Sequence, residues 1–244
     1  ETLDKWKSPL DQKYLDQKKD YLASMGIYVF KKEVLIKLLE DNPKAVDFGK
    51  EIIPYAVNHD DYSVCSYPFG KYWTDIGSIK SYFDANLALT DFLPAFNLYH
   101  NRNKVYTNAR MLSPTKIFGT RINNSLISSG CIIHAESIER SVVGVRSRIG
   151  PRTFIKNAII MGNDYYQALE DVTEASQQKL LGIGKDCKLE NVILDKNVKI
   201  GNFVSIIGDE RLADDEQDTY CIRDGIIILK KGAAIPDNQK IGMK

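Results

Sequence analysis

Aliphatic residues in the second half of the chain recur at a spacing of six, and few folds accept that spacing. Ile127 and Ile133 are six apart, as are Ile132 and Ile138, and Val143, Ile149 and Ile155 extend the series. After an interruption, Leu194, Ile200 and Ile206 resume it. Val192, Val198 and Val204 run in a parallel register, and Ile235 and Ile241 close it. A helix returns to the same face every ~3.6 residues and a strand every ~2. A spacing of six suits neither. It suits a solenoid with three short strands per turn, each placing one aliphatic side chain inside. Glycines at 130, 144, 150, 184 and 201 suit its tight corners. The polar break over 163–181 reads as a loop or short helix, and the acidic insertion over 209–219 reads as mobile. Outward aliphatic residues in the last strands, such as Ile227 and Ile228, would need cover, as would the open strand edges.

The first part of the chain has a different pattern. Residues 1–20 are polar and charged. The run 21–30 is β-branched and aromatic and predicts a buried strand, interrupted by Ser24-Met25-Gly26. Gly26 there fits either a bulge or the close approach of a ligand or backbone. A helix is predicted over 31–40, with Val34, Leu35, Leu38 and Leu39 on one face and an end at Asp41-Asn42-Pro43. A second, short helix over 47–54 should stop at Pro54. Residues 62–68 alternate as a strand does. A strand-like run, 70–73, then leads into Asp75 and Gly77, with Ser78 as the N-cap of an amphipathic helix over 79–90. Asp75 thus stands where a strand hands over to a helix. That is where α/β sheets bind ligands, and where a carboxylate can hold a metal ion; the other reading is a turn residue. Polar residues 97–103 read as a linker, so two domains are expected, 1–103 and 104–244.

Composition narrows the function classes. Net charge is +1, so neither a nucleic-acid surface nor a membrane surface is expected. The four cysteines are scattered and form no CxxC pair, which indicates neither a zinc site nor a disulfide framework and suits a reducing, cytoplasmic compartment. No apolar run is long enough to span a membrane. The first residue is Glu1, and a fragment of a larger protein is expected.

The motifs resemble one family. Ser24-Met25-Gly26 before Tyr28-Val29-Phe30, Asp47-Phe48-Gly49 with Glu51-Ile52-Ile53-Pro54, and Tyr72-Trp73-Thr74-Asp75-Ile76-Gly77 look like ADP-glucose pyrophosphorylase (glucose-1-phosphate adenylyltransferase). Ser113-Pro114-Thr115-Lys116, Met161-Gly162-Asn163-Asp164-Tyr165-Tyr166 and Ile193-Leu194-Asp195-Lys196-Asn197 continue the likeness, which is closer to the plant and cyanobacterial kind. The resemblance implies the C-terminal part of a Rossmann-like nucleotidyltransferase domain followed by a left-handed parallel β-helix of hexapeptide repeats. It implies ATP and glucose 1-phosphate as substrates, Mg²⁺ as cofactor, ADP-glucose and pyrophosphate as products, and a role in glycogen or starch synthesis. It also implies a homo- or hetero-oligomer, expected to be a tetramer, in the cytoplasm, or in a plastid if the source is a plant.

By this resemblance Asp75 is a catalytic Mg²⁺ ligand, Ser24 contacts glucose 1-phosphate, and Trp73 walls the sugar. Asn108, Arg110, Lys196 and Lys231 match positions that bind an anionic allosteric effector. The family's Gly-rich nucleotide loop has no counterpart in these 244 residues, so the chain alone is expected to be inactive. Two other readings compete. One is a non-catalytic regulatory subunit of the same family. The other is a hexapeptide acyltransferase, for which His134 would be the base.

Overall fold

The computed structural model describes residues 23–102, 104–167 and 180–243. By packing, the chain forms two compact units that divide between Trp73 and Thr74, well before the expected linker at 97–103. The helix at 79–88 accounts for the difference, because its apolar side is covered by the solenoid (below).

The first unit holds helix α1 (Lys32–Asp41), a π-helical turn (Phe48–Ile52) and helix α2 (Ile53–Asn58). Leu38, Ile52 and Ala56 form its small core, with Phe30, Val34, Tyr55 and Tyr62 packed around them. Asp47 caps the turn by accepting from the Lys50 backbone N–H at 2.7 Å. Pro54 was expected to stop a helix; it lies in the first turn of α2 instead. Its fixed φ suits the start of a helix, and its missing N–H is not needed there.

The strands expected at 21–30, 62–68 and 70–73 do not form among the described residues. Alternation is nonetheless present at the first. Tyr28 and Phe30 turn toward Phe48, whose ring centroid is 6.3 and 6.0 Å from theirs. Ile27 and Val29 face outward, 72% and 97% exposed. An extended run becomes a strand only when a neighbour completes its ladder, and no described segment does so here. Residues 63–73 are exposed throughout.

The second unit opens with helix α3 (Ile79–Ala88). Ser78 caps it in a capping box with Ser81, as the sequence predicts for the N-terminus. From Lys116 the chain winds as a parallel β-helix with three faces. On the first face Ile117, Ile133, Ile149, Ile183, Ile200 and Ile235 pair in register. On the second the ladder is Ile122, Ile138, Ile155, Leu189, Ile206 and Ile241. On the third it is Ile127, Val143, Ile160, Leu194 and Leu229. The step between faces is six from Val143 to Ile149 and five from Ile133 to Ile138. Ile132 therefore falls outside the ladder and is only half-buried, so its six-residue pairing with Ile138 was a wrong register.

The expected corner glycines do stand at tight corners, and Gly130 alone of the five has a left-handed φ, +78. Gly144, Gly150, Gly184 and Gly201 have ordinary φ; a Cβ on Gly150 would lie 2.6 Å from the Gly184 carbonyl carbon in the next coil. Stacked corners leave no room for a side chain. Left-handed corners fall mostly to other residues, among them Arg146, Arg152, Asn157, Asn191 and Asn197. Asn157 and Asn191 bend the strands Phe154–Ile160 and Lys188–Leu194 and join by a side-chain hydrogen bond of 3.2 Å.

Helix α3 lies over the third face. Phe83 and Leu87 pack with Ile159, Ile193 and Ile226, which point outward from the coil, with Ile228 beside them. Ile160, Leu194 and Ile227 point inward. Ile227 was thus wrongly expected to face outward, and Ile228 is covered by the chain's own helix. The insertion expected to be mobile carries a short strand. Asp215–Glu216 and Tyr220–Arg223 add antiparallel strands to Ile226–Leu229.

Candidate functional site

The densest polar cluster that includes expected site residues forms where three coils leave the third face. Ile160, Leu194 and Leu229 stand in register there. Lys196 follows Leu194 by two positions and Lys231 follows Leu229 by two, and the Gly232 N–H donates to the Lys196 carbonyl at 2.9 Å. Coil stacking therefore makes neighbours of two lysines that are far apart in sequence. Both turn to Asp164, from the coil exit after Ile160. Lys196 Nζ is 2.7 Å from Asp164 Oδ1, and Lys231 Nζ is 3.9 Å from Oδ2. Asn197 Nδ2 donates to Oδ2 at 3.0 Å, and its Oδ1 accepts from the Asp164 backbone N–H at 2.9 Å.

The Lys196 hydrogen bond, helped by Asn197, holds the Asp164 carboxyl below the usual carboxylate range. Asn163 and Tyr166 fix the residues on either side. Buried Asn163 donates from Nδ2 to the Arg146 carbonyl at 2.8 Å, and the Tyr166 hydroxyl donates to the Gly130 carbonyl at 2.9 Å. The Arg146 guanidinium stands over the Tyr166 ring at 5.7 Å.

Asp164 belongs to the motif Met161-Gly162-Asn163-Asp164-Tyr165-Tyr166, and the sequence alone assigns it no role. The available signal was a carboxylate just where the aliphatic period stops. Lys230, next to Lys231, belongs to a separate cluster: its Nζ is 2.6 Å from Glu216 Oε1, and Arg223 reaches Glu216 Oε2.

Asn108 and Arg110 lie on the exposed, irregular run before the first coil and have no polar partner among the described residues. Leu112, two residues beyond Arg110, crowds Gly130 together with the Tyr166 hydroxyl. The run thus meets the coil next to the loop that carries Asp164.

Asp75 is exposed and accepts from the Gly77 N–H at 3.0 Å, a turn that aims the chain into α3. Among the described residues no strand precedes it, so the hand-over expected there is from an irregular run to a helix. Among the described residues no three His, Cys, Asp or Glu side chains gather as a metal cage. The free lone pairs of Asp75 fit a single carboxylate ligand of the kind Mg²⁺ uses, the rest of its shell coming from phosphates and water. In the first unit, the Ser24 Oγ accepts from the Gly26 N–H at 3.2 Å and pairs with the Tyr28 hydroxyl at 3.1 Å. Gly26 has φ +70 and open space beside it, so the turn itself requires the glycine. Trp73 is partly exposed. His134 packs against Phe118 with ring centroids 3.8 Å apart and ring planes tilted by 47°.

Compared with known families, residues 110–239 match the model of the GLGC left-handed parallel β-helix domain, more than half of the chain. The chain belongs to the GLGC β-helix family. Residues 10–91 match the nucleotidyl transferase family. A nucleotidyltransferase domain followed by a GLGC β-helix supports an ADP-glucose pyrophosphorylase-like protein, a sugar-nucleotide pyrophosphorylase. The match also supplies the left hand of the coil. In this GLGC-type chain the Asp164 cluster lies wholly inside the matched β-helix.

Proposed function

We propose that this chain carries the sugar-phosphate side and the effector site of a glucose-1-phosphate adenylyltransferase, which joins ATP and glucose 1-phosphate into ADP-glucose and pyrophosphate. The observation that carries the reading is the convergence of Lys196 and Lys231 on one carboxylate, within a chain that pairs a nucleotidyl transferase match with a GLGC β-helix. Two ammonium groups on adjacent coils suit a phosphorylated metabolite better than a neutral ligand.

In this reading Asp75 would hold Mg²⁺, which when bound supplies charge neutralisation on the phosphates. Ser24 would donate to the glucose 1-phosphate, its hydroxyl already oriented by Gly26 and Tyr28. Trp73 would wall the sugar and exclude water. Arg110 and Asn108 would add donors to the effector from the run beside Leu112. Attack of the sugar phosphate on the α-phosphorus is then a matter of positioning and electrostatics. Activity is proposed for this chain joined to a Gly-rich nucleotide loop, and the active enzyme is proposed to be an oligomer.

The test is ADP-glucose synthesis by that enzyme. Asp75→Asn should lower turnover by ~10²-fold or more while the fold is kept. Near-normal turnover at saturating Mg²⁺ would remove Asp75 from the mechanism.

A further inference from the structure

The effector cluster already contains an anion, and that anion belongs to the protein. Asp164 places one carboxylate oxygen on Lys196 at 2.7 Å and the other toward Lys231 at 3.9 Å. A bound phosphate would seek the same two ammonium groups. They cannot serve both with full strength, because each Lys196 N–H aimed at Asp164 is lost to the ligand, and two anions side by side repel. The cluster is most enclosed at Lys196: the side chains of Lys196, Asp164 and Lys231 are 34%, 37% and 65% exposed. Ligand and carboxylate would therefore meet with incomplete screening by water.

We propose that Asp164 is a resident counter-anion, which an anionic effector must displace from Lys196 and Lys231. This rests on the reading of those lysines as the effector site. It adds that the ion-paired arrangement is a closed state of the site and that effector binding needs an open one. Two features suit an exchange of this kind. Asn163 and Tyr166 anchor the loop by contacts that do not involve the Asp164 carboxylate, so the side chain can leave while the loop stays. Asn197 holds both the backbone and the carboxylate of Asp164, so release of the carboxylate alters a contact to the neighbouring coil. The equilibrium between the two states then sets effector affinity, because a competing internal anion lowers the population of free site.

A dianion has an advantage in this competition. Inorganic phosphate at neutral pH brings more charge to the lysines than a single carboxylate does, whereas a monocarboxylate replaces like with like. Asp164 would thus act as a filter against monoanions.

The experiment is calorimetric titration of the full chain with inorganic phosphate, and separately with acetate, for wild type and four variants. Lys196→Ala and Lys231→Ala test the site. Asp164→Asn tests the competition, and Asp164→Glu keeps the carboxylate. Asp164→Asn is expected to tighten phosphate binding about tenfold and to make acetate binding measurable, with Asp164→Glu near wild type. In wild type, carboxyl ¹³C titration should show the Asp164 pKa rising toward the ordinary range when phosphate is added.

If the lysine variants lose phosphate binding but Asp164→Asn gains none, or binds more weakly, the counter-anion proposal falls and the effector site stands. If the lysine variants bind as wild type does, or if no chain binds phosphate, both readings fall together. A carboxyl titration that phosphate does not move would also overturn the proposal, whatever the variants do.

Discussion

Lys230 and Lys231 are adjacent in sequence but serve different carboxylates, Glu216 and Asp164. A strand-exit backbone points consecutive side chains apart, so the pair divides between the hairpin and the coil exit. Lys230→Ala is accordingly no silent control for Lys231. It removes a cation from Glu216, which leaves Arg223 as the only cation holding that carboxylate among the described residues. A second residue-scale case is Tyr62, whose hydroxyl donates to Asp41 Oδ2 at 2.9 Å. Loss of solvent around the phenol, then the Asp41 bond and charge, raise its pKa to about 12. The sign is that of a raised acid. The neutral phenol is favoured in the fold, so its contribution is whole below the ordinary tyrosine pKa and is lost as pH rises through about 12. Spectrophotometric alkaline titration should show one tyrosine ionising last, and Tyr62→Phe should remove that step. If the last step survives in the variant, the assignment is wrong.

At the scale of elements, helix α3 was the most legible piece of the first hundred residues. Ser78 and the apolar spacing after it identify its start and its buried side, and the structure adds Ser81 as the partner of Ser78 in a capping box. Its partner was not legible: the helix covers Ile159, Ile193 and Ile226 on the coil. This explains why Phe154–Ile160 and Lys188–Leu194 end in three consecutive buried residues where a half-buried strand would alternate. Leu87, 1% exposed, sits in that contact. Leu87→Ala should destabilise the second unit by about 2–5 kcal/mol in chemical denaturation, through lost burial and the cavity left behind. A change below ~1 kcal/mol would mean that α3 is not docked in solution. The strands expected at 21–30, 62–68 and 70–73 do not form among the described residues, for the complementary reason. Alternation specifies which face could be buried, but a ladder needs a second backbone.

For the molecule as a whole, the β-helix is held by ladders of identical or similar aliphatic residues and by corners too tight for a side chain. A Cβ on Gly184 would lie 2.6 Å from the Gly201 carbonyl carbon in the next coil. Gly184→Ala should therefore cost about 3 kcal/mol or more, even though its φ is one that alanine accepts. A neutral effect on thermal unfolding would show that the coils can spread. The two ends of the solenoid differ. Ile117 in the first coil is 44% exposed, while Ile235 in the last is 2% exposed. The aliphatic period alone determined that this chain coils, and the aliphatic positions alone determined most of what lies inside, because a solenoid core needs only a repeating apolar side chain. The caps and breaks along the chain likewise announced α1 and α3. What the tertiary structure decided is which distant residues meet. Lys196 is 32 positions from Asp164, and no local pattern relates them. Only the number of residues wound into each coil brings them, with Lys231, to one carboxylate, since that number sets which side chains leave the same corner together.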